Sequence, residues 1–418
     1  MVHVVFAIPF VMENTLRFAR AVQDLPGVRV SLVSQDPSEK LPADFRRRLV
    51  GFQQVRDALQ VDELVRGVLS LRQQVGDVDR LLGILEPLQE PLAAVRERLQ
   101  IRGMDEPTAR NFRDKSRMKD LLRKHDIPCA RHRLCANVDE ALQFAHSSGY
   151  PVVGKPPAGA GAKATERCAD DRELRAFLQQ VRPAPGREVL LEEFVQGREY
   201  SFDSITIGGR HVLHNICCYQ PTPLEVMDNP WIQWSVVLPR ELDRPEFAQI
   251  HRTGPRALDA LGMWTGVTHM EWFRRHDGSI AISEVAARPP GAQFVPLMGH
   301  VYDTDMFAVI AQLMVFETCP TLPRRYAAGA AYLRGQLPQG RQKMGAQPSG
   351  RKVKAVHGLD DMQRELGELI VEAKLPKVGQ PAADTYEGEG FVIVRHPDTD
   401  VVHRAVHQIV KNVRVELA

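Results

Sequence analysis

Met270-Glu271-Trp272-Phe273 and, after a turn, Ile282-Ser283-Glu284-Val285-Ala286-Ala287-Arg288-Pro289-Pro290-Gly291 decide how this chain is read. Each glutamate lies in or at the end of a run of strand character, and Arg275-His276-Asp277-Gly278 between them has turn composition. The spacing predicts a hairpin that sets the two carboxylates side by side. Adjacent inward-facing carboxylates repel unless a cation lies between them, and carboxylate plus phosphate oxygens are the ligands Mg²⁺ prefers. Arg288, four residues on, offers a fork for phosphate or carboxylate. A surface salt-bridge cluster would use the same residue types. The flanking Val267, Met270, Ile280, Ile282 and Val285 argue for a buried sheet, where unpaired charge is costly, and the rest of the chain settles the choice.

A length of 418 residues exceeds one small core and points to about three domains or subdomains. Apolar content of 44% and charged content of 25% are those of an ordinary globular enzyme. With 54 basic against 52 acidic residues the net charge is +2, so no polyanion partner is implied, and no basic aromatic stripe points to nucleic acid. Met1–Ala7 reads as a first strand rather than a leader, and no run approaches eighteen apolar residues, so no membrane span is expected. The six cysteines (Cys129, Cys135, Cys168, Cys217, Cys218, Cys319) form no CxxC pair. They read as reduced, packing thiols of a cytoplasmic protein.

The first hundred or so residues alternate strand and helix: strands at Val2–Ala7, Val28–Val33 and Arg80–Leu85, with a helix from about Asn14 to Gln23. This is the pattern of a parallel sheet, and no GxGxxG follows the first strand to support dinucleotide binding. After Gly103 a charged helix over Ala109–His125 and a helix near Val138–Ser147 are expected, then a strand over 151–155. That strand runs into the small-residue loop Pro157-Ala158-Gly159-Ala160-Gly161-Ala162-Lys163. A helix at Asp171–Val181 and strands at Val189–Glu193, Tyr200–Ile207 and His211–Cys218 follow. Tyr219–Leu238, with prolines, Trp231 and Trp234, reads as a long loop over a site, and Pro245–Leu261 as a helix before the hairpin. From about Ala327 the composition loosens, with a strand at Gly390–Arg395 and a helix at Val401–Val413 in a small α+β unit.

Lys155 at a strand end, followed by Gly159 and Gly161, places a cation beside backbone that phosphates can approach closely. It is no Walker loop, and in isolation a plain strand-to-loop turn accounts for it. Lys115 opens a helix that a solvated charge pattern also explains. Leu190-Leu191-Glu192-Glu193-Phe194-Val195-Gln196-Gly197-Arg198-Glu199 is a strand leaving into a segment able to pair with adenine as a strand edge would, with Glu199 able to accept from ribose hydroxyls.

The order of these pieces carries more than any one of them. Asp-Lys at 114, Gly-Tyr-Pro-Val-Val-Gly-Lys-Pro at 149, Glu-Glu-Phe-Val-x-Gly-x-Glu at 192, Glu271, and Glu-x-x-x-Arg-Pro-x-Gly at 284 closely resemble the ATP-grasp superfamily, in its order. The resemblance extends over nearly the whole chain, to the biotin-carboxylase-like branch. It implies a mixed α/β and α+β fold in four parts: an N-terminal parallel-sheet α/β domain over 1–105, a small lobe with a lid over 106–195, a large lobe with the metal site over 196–326, and a small α+β domain over 327–418.

The resemblance also implies site roles. Lys115 and Lys155 would contact the α- and β-phosphates of ATP, under a loop of Gly159, Gly161 and Lys163. Glu192, Glu193, Phe194 and Val195 would line the adenine hinge and Glu199 would hold ribose. Glu271 and Glu284 would bind Mg²⁺ or Mn²⁺, and Arg288 would stabilise the transferred phosphoryl group. Many members have Asn two residues after the second metal glutamate, where this chain has Ala286, so one of the usual two metals is in question. The ending, with His269 two residues before Glu271, looks more like the L-amino acid ligases.

That likeness implies an ATP-dependent carboxylate–amine ligase working through an acyl phosphate, with small-molecule acid and amine substrates, amino acids among them. Lys155, His269 and Arg288 are the candidate catalytic residues; a hydrogen-bonded strand histidine is the plainer reading of His269. Ala292, just past Gly291, is small and leaves room for a bulky group nearby. A carboxylase-type enzyme with the same nucleotide site, or a regulatory ATP-binding module without turnover, are the alternatives. In related enzymes the C-terminal domain helps build a dimer, and a homodimer is the corresponding expectation.

Overall fold

Two sheets with opposite pairing rules organise the chain, which a computed structural model describes over residues 1–158, 165–229, 231–336 and 350–418. Near the N-terminus, Gly51–Gln54, Val28–Ser34, Val2–Ile8 and Arg80–Leu82 line up in that order, all parallel. Val4 to Ile8 are buried, as a strand covered on both faces requires. The parallel sheet is as expected; Gly51–Gln54 was not foreseen, because GFQQ carries no alternation.

A larger antiparallel sheet of eight strands runs in the order Ile280–Ala286, Gly266–Arg275, Gly197–Ile207, Arg210–Gln220, Trp234–Leu238, Ala327–Leu333, Gly390–His396 and Ile370–Lys374. A separate four-stranded sheet carries His132–Cys135, Val189–Glu193, Val152–Lys155 and Glu166–Cys168. The two are tied by backbone where Ile282 donates to Pro128 O at 2.9 Å and Ala130 donates to Ile282 O at 3.3 Å, and by the ion pair of Arg275 with Glu193.

Three local expectations are corrected. The helix over Ala109–His125 is two helices, Glu106–Arg113 and Lys115–Lys124. Asp114 breaks it: its backbone leaves helical geometry and its carboxylate accepts from Ser116 and Arg117 N–H, both at 3.0 Å, so the aspartate caps a new helix. The long loop Tyr219–Leu238 is largely ordered, with the strand reaching Gln220, a helix at Pro223–Asp228 and the buried strand Trp234–Leu238. Prolines masked this, and that last strand's partner lies about ninety residues away at Ala327–Leu333.

The stretch from Ala327, read as loosely ordered, begins with a strand buried at every position. Its small residues serve close packing: a Cβ on Gly329 would lie 2.8 Å from Val402 and Val406 of the helix Thr399–Asn412. The large sheet thus runs through position 326 without a break in its hydrogen bonding.

Candidate active site

The register of the hairpin places the glutamates where the spacing put them. Glu271 and Glu284 are direct cross-strand partners, beside an irregularity between Glu271 and Trp272. Directly opposed side chains on one face lie close, and like charges so placed repel. On the neighbouring strand Ser201 faces Glu271 and Asp203 faces His269. With the period-2 alternation of a strand, Glu199, Ser201 and Asp203 share a face with His269, Glu271 and Glu284.

Opposite this acidic face lie buried amines. Lys115, the first residue of its helix, has Nζ 2.6 Å from Glu284 Oε1. Lys155, at the end of Val152–Lys155, has Nζ 2.9 Å from Glu192 Oε2. Gly154 permits this strand to pack, since a Cβ there would meet the Phe177 ring at 2.2 Å. Lys119 lies one helical turn after Lys115 and is wholly buried. Its Nζ donates to Ser283 O at 2.6 Å and stands 2.7 Å from Glu192 Oε1. That last oxygen makes no aligned hydrogen bond, so the contact is Coulombic.

The titration behaviour follows. Burial raises the Glu284 carboxyl, but Lys115 and Lys155 outweigh it and bring it down to about 2. Glu192 is lowered for the same reason, by Lys119 and Lys155 against burial. Burial pulls Lys119 down despite Glu192, whereas the neighbouring carboxylates hold Lys155 up against it. Glu199 goes the other way: burial and then Glu271 push it well above the usual carboxylate range. His269 Nδ1 lies 2.5 Å from Asp203 Oδ1 and Nε2 3.5 Å from Glu271 Oε1. Burial opposes its charge, but Asp203 and Glu271 hold it at about 10.

These groups surround one cavity of about 740 Å³ between the two sheets, lined also by Val153, Phe194, Tyr219, Phe294 and Tyr386. Its size is that of a small-molecule site. Glu271 and Glu284, directly opposed, turn carboxylate oxygens to the cavity, a donor set that suits a divalent cation. Among the described residues no three His, Cys, Asp or Glu side chains form a metal cage. An ion held by Glu271 and Glu284 would need further ligands from outside these side chains, as Mg²⁺ commonly takes from phosphate and water.

Residues 120–299 match the family model of the ATP-grasp domain. The chain contains an ATP-grasp domain. Over those residues its fold is the ATP-grasp fold. The L-amino acid ligase from Bacillus licheniformis superposes with a TM-score of 0.77 at 15% identity, over 99% of this chain and 98% of that one. The N5-carboxyaminoimidazole ribonucleotide synthetase from Thermotoga maritima gives 0.66 at 16%, over 100% and 99%. The biotin carboxylase domain of the Hydrogenobacter thermophilus 2-oxoglutarate carboxylase, solved with MgADP and bicarbonate, gives 0.68 at 16%, over 99% and 90%.

The structure gathers Lys115, just before the matched residues, and Lys155, Glu192, Glu193, Phe194, Val195, Glu199, His269, Glu271, Glu284 and Arg288 within them around this cavity. Gly159, Gly161 and Lys163 lie outside the described residues. Glu193 is only partly turned to it, its carboxylate paired with Arg131 at 3.0 Å and Arg275 at 2.7 Å. Phe194 N–H is bonded to Pro151 O, and its ring lies under the Arg167 guanidinium at 4.9 Å. Ala286, opposite His269 in register, lines the cavity with a methyl group.

Sequence reasoning missed four contributors. Lys119 lies in the charged helix expected over Ala109–His125 and has no role in that reading; its i, i+4 spacing from Lys115 is the available signal. Glu86 is buried and paired with Arg288. Asp203 and Tyr386 come from strand and loop segments that only the tertiary fold brings here. No helix among the described residues is long and apolar enough to cross a membrane.

Proposed function

We propose that the chain is an ATP-dependent carboxylate–amine ligase that joins an organic acid, an amino acid among the candidates, to an amine through an acyl phosphate. The observation that carries the reading is the opposed pair Glu271 and Glu284 facing the buried Lys115 and Lys155 across one cavity. The better superposition on the L-amino acid ligase, 0.77 against 0.66 and 0.68, supports amine over bicarbonate chemistry. In this reading the division at 105, 195 and 326 separates a pre-grasp unit, a small lobe, a large lobe and a C-terminal unit.

A carboxylate does not condense with an amine at neutral pH because oxide is too poor a leaving group. Transfer of the γ-phosphoryl group of ATP to a carboxylate oxygen breaks the bond to ADP and forms the acyl phosphate. The amine then attacks the carbonyl carbon, loses a proton, and phosphate departs. Glu271 and Glu284 would hold Mg²⁺, which would supply charge neutralisation for the transferring phosphoryl group. Lys115 and Lys155 add two fixed positive charges in a dry site, where such groups act most strongly. Glu192 and Glu193 border the adenine, with Phe194 and Val195, and Glu199 faces ribose. Arg288, held by Glu86, is aimed at the oxyanion of the tetrahedral intermediate. His269 carries a positive charge beside Glu271 through Asp203.

ADP release from Mg-ATP, measured against a panel of amino acids and amines with and without bicarbonate, tests the proposal. Release stimulated by one acid and amine pair, with equal amide formed, is the expected result. Stimulation by bicarbonate alone, or nucleotide binding without turnover on any pair, defeats it.

A further inference from the structure

A second cavity, of about 580 Å³, shares Arg288 with the first and lies between the parallel sheet, the helix Gln89–Leu99 and the start of the hairpin. Its wall carries Arg80, Arg96, Arg102 and Arg288 against only Asp105 and Glu317. Most of this charge is spoken for. Glu317 pairs with Arg80 at 3.3 Å and with Arg102, Arg288 pairs with Glu86, and Asp105 caps a helix by accepting from Thr108 N–H at 2.8 Å.

Arg96 is different. Its Nε and Nη1 donate to Leu81 O at 3.1 Å and Met104 O at 3.0 Å, and no carboxylate among the described residues pairs with it. Burial alone lowers its pKa to about 10, with no acid nearby to offset the shift. The backbone is shaped around it: Gly103 has φ +154°, and a Cβ there would lie 2.6 Å from Arg96 Cδ. Guanidinium donors left over after two carbonyl bonds remain on the cavity wall. The wall also carries the apolar Leu313 and Met314 beside the polar Gln89, Thr108 and Thr265, and the lining Trp264 is 67% exposed. A partly desolvated guanidinium without an anion, next to an apolar surface, matches a ligand with a charged end and a greasy body.

We propose that this second cavity binds a small carboxylate-bearing molecule, its carboxylate on Arg96 and its apolar body against Leu313, Met314 and Trp264. The site stands apart from the nucleotide reading, because its recognition needs neither ATP nor a metal. Two sources supply such a ligand: a substrate or an effector anion. Arg288 lies on both cavity walls, so either would be sensed where the first cavity's chemistry takes place.

The test uses the full chain without nucleotide, titrated with 3-phenylpropionate, L-phenylalanine, the neutral 3-phenylpropionamide and inorganic phosphate, followed by tryptophan fluorescence and calorimetry. Saturable binding of the two carboxylates is expected, with amide and phosphate at least about tenfold weaker, since one charge-assisted bond is worth that factor. Arg96→Met and the cavity-filling Met314→Trp should each weaken it by about tenfold or more, with thermal unfolding confirming that each variant folds. Absence of saturable binding, equal binding of the amide or of phosphate, or binding unchanged in both variants overturns the proposal. With Mg-ATP added, a ligand consumed mole for mole with ADP is a substrate and an unconsumed one that shifts the rate is an effector; both keep the site. Carboxylate binding that survives in a chain without turnover defeats the ligase reading alone.

Discussion

Glu192→Gln isolates the electrostatics that hold the cavity together. The carboxylate is 4% exposed and stands 2.7 Å from Lys119 Nζ and 2.9 Å from Lys155 Nζ. Glutamine keeps the volume and one acceptor oxygen, but it removes the carboxylate that contacts both buried ammonium groups and points an N–H₂ at one of them. Breaking a buried pair by removing one partner costs about 3–5 kcal/mol, because a desolvated charge is left uncompensated. Two cations share this carboxylate, so the upper part of that range is expected. Urea denaturation followed by circular dichroism measures it. Adding Lys119→Met removes one of the stranded cations and should recover about half the loss, a coupling that only neighbours show. On the proposed reading Mg-ATP brings phosphate charge to Lys155, so the nucleotide should stabilise the variant more than the wild type. A loss under about 1 kcal/mol, or no recovery in the double variant, refutes the claim that Glu192 is the counter-charge of both lysines.

Two further outcomes are expected. Glu271→Gln and Glu284→Gln should each lower ADP release by about 10²–10³ and raise the Mg²⁺ concentration needed, as for loss of one electrostatic stabiliser; Mg²⁺ titrations of initial rate decide this, and unchanged Mg²⁺ dependence in both counts against the metal assignment. His214 stacks on Phe202 at 5.0 Å, and burial, then His251 and Arg324, hold it down at about 4. Its folded pKa is below the unfolded value of about 6.5, so the unfolded chain takes up the proton first. Stability is intact above pH 6.5 and falls between there and 4, by about 2 kcal/mol at pH 5. His214→Phe should flatten that part of the denaturation-versus-pH curve, and an unaltered slope shows that another group sets it.

The site was legible where chemistry is written in short spacing. The hairpin, its acid pair and the two lysines were readable because a turn of fixed length sets register and because strand ends place side chains predictably. The helix Asp171–Val181 and the strand Val189–Glu193 occur with the expected bounds. What failed depends on distant partners. Trp234–Leu238 is a strand because Ala327–Leu333 pairs with it, and AAGAAYL is a strand because the helix Thr399–Asn412, with Val402 and Val406 against Gly329, needs small side chains beneath it. Arg288 was found and its anchor Glu86 was not, since 202 residues separate them. Lys119 escaped for another reason: a lysine in a charged helix reads as solvated, and only burial against Ser283 and Glu192 shows otherwise.

The pairing of Lys115 with Glu284 bears on how such a site accepts a charged substrate. The two sheets are joined by backbone at Ile282, by the ion pair of Arg275 with Glu193, and through the helix Lys115–Lys124, whose Lys115 reaches Glu284 and whose Lys119 reaches both Ser283 and Glu192. The last set of links involves the side chains proposed to meet nucleotide and metal. If a divalent ion arrives with a phosphate, Glu284 exchanges an ammonium for the metal, and Lys115 exchanges a carboxylate for a phosphate oxygen. The number of opposite-charge contacts is kept while each becomes a link through the ligand. Desolvation, the main cost of burying charge, has already been met by the protein's own pairs. Binding by this exchange therefore needs little new burial of bare charge, and it makes the contact between the sheets depend on what lies between them.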